Sequence, residues 1–225
     1  MINFEALFKI SYGLYIVSSG DKNKGNGYVA NTVFQITSEP PKFATCCNKN
    51  NFTSEFIQKH KAFSVSILAQ NASTEIFGKF GYKSGKDFDK MVDTQIKYGD
   101  TGVPIILNES IAFFECKLVQ TIDVGTHLMF IGELVDAQII DNTKTPLTYL
   151  HYRQINKASA PKNAPTYIDK SKLGTKLKSK KSGIYKCIVC GHIYDEDIEE
   201  VKFANLPVDW KCPICGADKK DFIIV

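Results

Sequence analysis

Residues 63–67, Phe63-Ser64-Val65-Ser66-Ile67, alternate large apolar and small polar side chains, the two-residue period of a strand buried on one face. The pattern predicts a strand over residues 62–68, and shorter apolar runs predict others over 14–19 and 42–47. Residues 20–27 are dense in Gly, Asn, Asp and Lys, which predicts a long hairpin loop with a return strand over 28–36. Residues 111–122 and 127–140 predict a second, longer hairpin turning at Asp123-Val124-Gly125. Two short helices fit between the hairpins. One starts at Thr53 as N-cap with Glu55 in its first turn, and the other covers residues 87–96. Six or so strands with few helices make residues 1–168 mainly β, and such a set most simply closes into a barrel.

With 225 residues, 44% of them hydrophobic, the chain has enough apolar side chains for one or two domains. It has no run of eighteen apolar residues, so no membrane helix is expected. The first six residues lack the basic-then-apolar order of a signal peptide. The net charge of +4 is unevenly spread: residues 169–183 hold six lysines against one aspartate, residues 184–225 five lysines against eight acids. Neither arginine nor aromatic residues accompany the lysine run, which argues against a nucleic-acid partner. Its composition predicts a flexible linker with a reach of roughly 20 Å, joining residues 1–168 to a small unit at 184–225.

Four of the seven cysteines stand in two Cys-x-x-Cys-Gly knuckles, Cys187/Cys190 and Cys212/Cys215. Each knuckle aims two sulfurs at one point, and two knuckles give a tetrahedral site suited to Zn²⁺ or Fe. The remaining free thiols, Cys46, Cys47 and Cys116, together with a metal tetrathiolate, suggest a reducing, cytoplasmic setting. The stretch Leu206-Pro207-Val208-Asp209-Trp210-Lys211-Cys212-Pro213, with Tyr185, Tyr194, Phe203 and Phe222 around it, closely resembles rubredoxin. The resemblance implies one Fe per chain, bound by four cysteinates and carrying one electron. Only 21 residues separate Cys190 from Cys212, and tetrathiolate geometry by itself also accommodates a zinc staple.

Small hydroxyl and amide side chains crowd the strand ends from Gly25 to Thr37 and from Ala44 to Thr53. Backbone amides, Lys49 and a helix N-terminus there can hold a phosphate, although a plain polar loop has the same composition. Several pieces in order resemble the flavin reductase family of FMN-binding split barrels, and more narrowly its flavoredoxin branch. They are Asn31-Thr32, Pro40-Pro41, Lys49 to Thr53, Phe80 to Asp87, Gly125-Thr126-His127 and Pro161 to Tyr167. The resemblance implies a split β-barrel and a homodimer with FMN near the subunit interface. Asn31, Thr32, Val33, Phe34 and Gln35 are then expected along the isoalloxazine. Cys46, Cys47, Asn48, Lys49, Asn51, Phe52 and Thr53 are expected at the ribityl phosphate, the cysteines through their backbone. Lys90 and His127 are expected to reach the flavin from other loops. Arg153, Lys86 and Lys90 are candidates to meet nicotinamide phosphates.

The combination resembles the high-molecular-weight rubredoxins. It implies an NAD(P)H-dependent oxidoreductase in which no side chain is a catalytic acid, base or nucleophile, because the cofactors carry the chemistry. Electrons would pass from NAD(P)H through FMN to the fused iron and on to a redox protein, a flavodiiron O₂/NO reductase being one candidate. Two alternatives remain: a flavin reductase supplying reduced FMN to a partner oxygenase, and a non-enzymatic flavin/zinc redox-sensing module.

Overall fold

The computed structural model describes residues 2–156, 160–169, 172 and 183–224. Most of the lysine-rich segment predicted as a linker thus lies outside the described residues. The first hairpin pairs β1 (Tyr15–Gly20) with β2 (Gly25–Ala30). Its turn is tighter than predicted, because the Asp21 carboxylate accepts from the backbone N–H groups of Asn23 at 2.8 Å and Lys24 at 3.0 Å. The return strand predicted over 28–36 is two strands. The chain leaves β2 at Asn31-Thr32, and β3 (Val33–Ser38) pairs instead with β4 (Pro41–Asn48). Apolar residues continue through the break, but Tyr28 is buried while Phe34 and Ile36 are exposed.

Helix α1 (Phe52–His60) is capped by Asn51, not Thr53: the Asn51 side chain accepts from Thr53 N–H at 3.0 Å. It ends at Lys61, in the left-handed conformation with φ 54°. Strand β5 (Ala62–Leu68) keeps the predicted bounds. Helix α2 (Thr74–Phe77) runs directly into a π-turn, Gly78–Tyr82. The helix predicted over 87–96 does not form. There the Asp89 carboxylate turns back to Met91 N–H, and Lys79 Nζ takes the carbonyls of Val92 and Asp93. A local bond at Asp89 and longer-range bonds from Lys79 thus replace the helical ladder. The chain then enters a two-stranded ribbon of β6 (Ile96–Tyr98) and β7 (Pro104–Ile106).

The long hairpin of β8 (Ser110–Asp123) and β9 (His127–Ile139) turns where predicted. Gly125 sits at φ 91° and donates to Asp123 Oδ1 at 2.9 Å. Helix α3 (Tyr149–Asn156) follows. The seven strands order as β2-β1-β5-β8-β9-β4-β3, all neighbours antiparallel. Irregularities between Glu115 and Cys116 and between Leu118 and Gln120 bend the hairpin, as bulges do. The sheet curls far enough for Tyr28 on edge strand β2 to reach β4, its hydroxyl lying 3.1 Å from both Thr45 Oγ1 and the Cys46 carbonyl. This is a split barrel, filled by Val17, Ile57, Phe63, Val65, Phe114 and Phe130.

The small C-terminal sheet orders as β11 (Ile193–Asp195), β10 (Ile184–Cys187), β12 (Phe222–Ile224). Phe203 is the hub of its core. The ring stacks on Tyr185 at 4.1 Å and meets Tyr194, Trp210 and Phe222 at 5.3, 5.8 and 5.1 Å. This unit is not separate from the barrel: Cys187, Cys190, Cys215 and Ile214 share one buried cluster with Phe77, Phe80 and Tyr152.

Gly132, on β9, leaves no room for a side chain inside the barrel. A Cβ there would lie 2.6 Å from Cys116 Cβ and 2.7 Å from the Phe63 ring, both rigid neighbours. Gly132→Ala should therefore destabilise the barrel by about 1–3 kcal/mol, the usual range for overpacking. Urea unfolding should show a lower midpoint with an unchanged slope.

Candidate functional site

In the small unit the four buried Sγ atoms all lie within 4.8 Å of one another. The Cys187–Cys215 and Cys190–Cys212 separations are 3.7 and 3.6 Å. A tetrahedron with metal–sulfur bonds of about 2.3 Å has edges of about 3.8 Å, so the thiols stand at metal-ligand spacing. The knuckles are formed by Gly191 and Gly216, at φ 80° and 72°, which donate to the carbonyls of Cys187 and Cys212. Backbone N–H groups point at the sulfurs: His192 at Cys190, Ile214 and Cys215 at Cys212, Ala217 at Cys215. The sulfurs are electrostatically coupled, the bond with Cys212 pushing Cys190 up while those with Cys190 and Cys215 hold Cys212 down. Four thiolates this close need a cation, and the donor set fits iron.

The second site is a groove of about 300 Å³ on the barrel. One part is aromatic and apolar, with Phe77, Phe80, Tyr82, Tyr149, Tyr152 and, from the small unit, Val189. Elsewhere its lining is polar, with Asn48, Asn50 and Asn51 where α1 begins, and Lys83, Ser84 and Gly85. A flat apolar ring carrying an anionic tail matches this lining, since an α1 N-terminus favours anions. The residues present therefore fit a flavin.

Of the predicted contacts, Asn31, Cys46, Asn48, Asn51, Phe52 and Lys90 line the groove. Asn31 is held by a 2.7 Å bond from its Nδ2 to Thr166. The others do not line it in this chain, for distinct reasons. Cys47 follows Cys46 on β4 and so points the opposite way, into the barrel core. Thr53 is fully buried and accepts from Asn26 Nδ2 at 3.1 Å. Lys49 pairs with Asp123 at 2.7 Å. Thr32 lies at the break between β2 and β3, and Val33, Phe34 and Gln35 ride on edge strand β3, away from the groove. His127 lies behind the groove wall: Nδ1 pairs with the Thr126 hydroxyl at 2.8 Å and Nε2 meets the carbonyl of Asn163, a lining residue, at 3.0 Å. Among the nicotinamide candidates, Lys86 pairs with Glu55 at 3.4 Å, and the Arg153 guanidinium lies 3.7 Å from the Phe8 ring centre.

The groove also uses residues given no individual role from sequence: Tyr28, Phe77, Phe80, Tyr82, Tyr149, Tyr152, Ala160 and Pro161. The segments 80–87 and 161–167 carried part of the family resemblance, which was the signal available. Val189 had no signal, because its role depends on how the small unit packs.

Comparison with known proteins agrees with this geometry. Residues 7–157 match the family model described as flavin reductase like domain, and residues 184–222 match rubredoxin. The chain belongs to the flavin reductase-like family of oxidoreductases and carries a C-terminal rubredoxin domain. It is similar to the high molecular weight rubredoxin of Moorella thermoacetica, 42% identical over 97% of each chain. A ferric-chelate reductase (NAD(P)H) of Archaeoglobus fulgidus is 40% identical over 75% of this chain and 99% of that protein. The flavoredoxin structure from Methanosarcina acetivorans superposes with a TM-score of 0.57 at 26% identity, covering 62% of this chain and 74% of the other. Flavin and iron are the cofactors of these two domains. Among the described residues no helix is long and apolar enough to cross a membrane.

Lys90 is the titratable group of note. Its side chain is buried and donates to the carbonyls of Gly27 at 2.9 Å and Phe80 at 3.2 Å. Burial pushes it down to about 8, partly offset by Cys47. Below pH 8 it is a cation able to attract an anionic ligand, and above that it is neutral. Flavin affinity should therefore fall as pH rises through about 8, and Lys90→Met should remove that dependence in a fluorescence titration. The fold shows the opposite sign. The unfolded chain keeps the lysine proton at higher pH than the folded one, so barrel stability without ligand should rise from about pH 8 upward.

Proposed function

We propose that this chain carries electrons from NAD(P)H, by way of FMN in the barrel groove, to its own rubredoxin iron and on to a redox protein. The observation that supports this most directly is the shared boundary of the two sites, where Val189 between the first pair of metal-ligating cysteines also lines the groove. A bound flavin supplies the exchange between a two-electron hydride and the single electrons an iron tetrathiolate carries. The protein's task is placement. Asn31, Asn48 and Asn51 offer amide groups, α1 presents free N–H groups to an anion, and Lys90 adds charge from below. Tyr82, Tyr152 and Phe80 keep water from the end nearest the cysteines. The single helix N-terminus beside Asn48, Asn50 and Asn51 suits one phosphate tail, and FMN is the flavin of this reading.

In this reading the protein is a homodimer, and a flavodiiron O₂/NO reductase is a fitting acceptor. Release of reduced FMN to an oxygenase would leave the rubredoxin domain without a task. The names of the two long relatives, a rubredoxin and an NAD(P)H-dependent ferric-chelate reductase, also support electron delivery to iron.

Anaerobic addition of NADH or NADPH, with flavin and iron absorbance followed together, tests the reading. Flavin should bleach first and the ferric bands second, with the iron step independent of protein concentration. Zinc in place of iron in natively expressed protein, or iron that stays ferric beside a reduced flavin, defeats it. Cys190→Ala should abolish the iron chromophore and leave flavin binding intact.

A further inference from the structure

The two sites meet at one place. Tyr82 and Tyr152 both line the groove, and Tyr152 shares one buried cluster with Cys190 and Cys215, against which Tyr82 packs. Phe77 packs on Tyr152 at 4.6 Å, and Phe80 lies in the same buried cluster with Cys190 and Cys215. The two units come close together at residue 78. A Cβ on Gly78 would lie 3.7 Å from the Cys215 carbonyl group and the Ile214 carbonyl oxygen, an ordinary contact. Gly78 itself is helical, at φ −54°, so its backbone does not require glycine.

We infer that the Tyr82–Tyr152 pair, pressed against the cysteine knuckles over Gly78, is the contact through which an electron passes from the groove to the iron of the same chain. This rests on the electron-transfer reading above. One electron leaves the reduced flavin and one ferric ion becomes ferrous, and the tyrosines are unchanged at the end. Tunnelling weakens steeply with distance and with gaps in packing, so a close-packed aromatic pair between the two centres is the favourable medium. The contact is apolar, with Phe77, Tyr152, Ile214 and Val189 in it. The acidic residues Glu199 and Glu200 lie instead beside His192 and Trp210, in a hollow that no barrel residue lines. The cleft beside this apolar patch is lined by charged residues of both units, Glu75, Lys79, Lys83, Asp89 and Asp93 from the barrel and Lys211 from the small unit.

The test uses the full chain in three variants. Gly78→Ala adds only the tolerated Cβ, Gly78→Glu pushes a charged side chain at the thiolate cluster, and Tyr82→Leu/Tyr152→Leu removes the rings. Hydrogen exchange on zinc-loaded protein reads docking without any electron transfer. Gly78→Glu should raise exchange in Gly78–Tyr82 and in residues 211–216 together, and Gly78→Ala should not. In iron-loaded protein, Gly78→Glu should leave flavin reduction by NAD(P)H unchanged while iron reduction slows about 10²-fold, the scale set by small misplacements of reacting groups. The tyrosine variant should slow iron reduction while the exchange pattern of residues 211–216 stays that of the wild type. The inference is overturned if Gly78→Glu undocks the domain yet the iron is reduced at the wild-type rate. Wild-type exchange already as fast as in Gly78→Glu overturns it equally. Iron that stays ferric in the wild type defeats the electron-transfer reading itself.

Discussion

Four buried thiols packed sulfur to sulfur cannot all ionise unless a cation sits among them, and much else in the chain depends on that cation. The C-terminal unit of some forty residues is too small for an ordinary core. Its apolar content is one aromatic hub, Phe203, ringed by Tyr185, Tyr194, Trp210 and Phe222. The knuckles close that hub from one side, and the metal holds the two knuckles together. The same loops that grip the metal also form the surface that meets the barrel, since Ile214 and Cys215 press on Gly78 and Val189 reaches the groove. Loss of the metal would disturb both the small fold and its docking.

The barrel contributes a groove at the place where its sheet is interrupted. Strands β2 and β3 are consecutive in the chain yet lie at opposite ends of the seven-stranded order. The connection between them, Asn31-Thr32, therefore has to cross the opening of the split barrel. It leaves Asn31 lining the groove, and Tyr28 spans the same opening to β4. Helix α1 begins beside this crossing, capped by Asn51, so its free N–H groups end up near the exposed strand termini. The groove is thus a consequence of topology, with polar groups supplied where backbone ends accumulate.

This explains what the sequence made legible. Strand β5 and the β8–β9 hairpin were readable because one face is buried and the turn residues Asp123 and Gly125 are unambiguous. The metal ligands were readable because a knuckle is a local motif. The break at Asn31-Thr32 was hidden, since Val33 to Ile36 continue the strand-like pattern while changing sheet neighbour. The helix expected at 87–96 lost to side-chain bonds from Asp89 and Lys79, one of them between residues far apart in sequence. Among site residues, Asn31, Cys46 and Asn48 line the groove. Cys47, one position along, turns its side chain into the barrel core, and no sequence pattern states which of two adjacent cysteines faces inward.

The gradient of polarity along the groove links the two halves of the molecule. Amides and an open helix end stand at α1, while aromatic rings and Val189 stand where the cysteines approach. A ligand with an anionic tail and a flat apolar ring is held one way round by such a gradient, because reversing it would bury the charge among Phe77, Phe80 and Tyr152 without partners. Desolvation cost, not any single hydrogen bond, would then turn the apolar ring of such a ligand toward the cysteines. That directing force needs no residue specific to electron transfer, so a flavin-binding barrel could acquire a fused iron domain with few changes. The small unit meets the barrel at Gly78, where a Cβ would lie 3.7 Å from the Cys215 and Ile214 carbonyl oxygens.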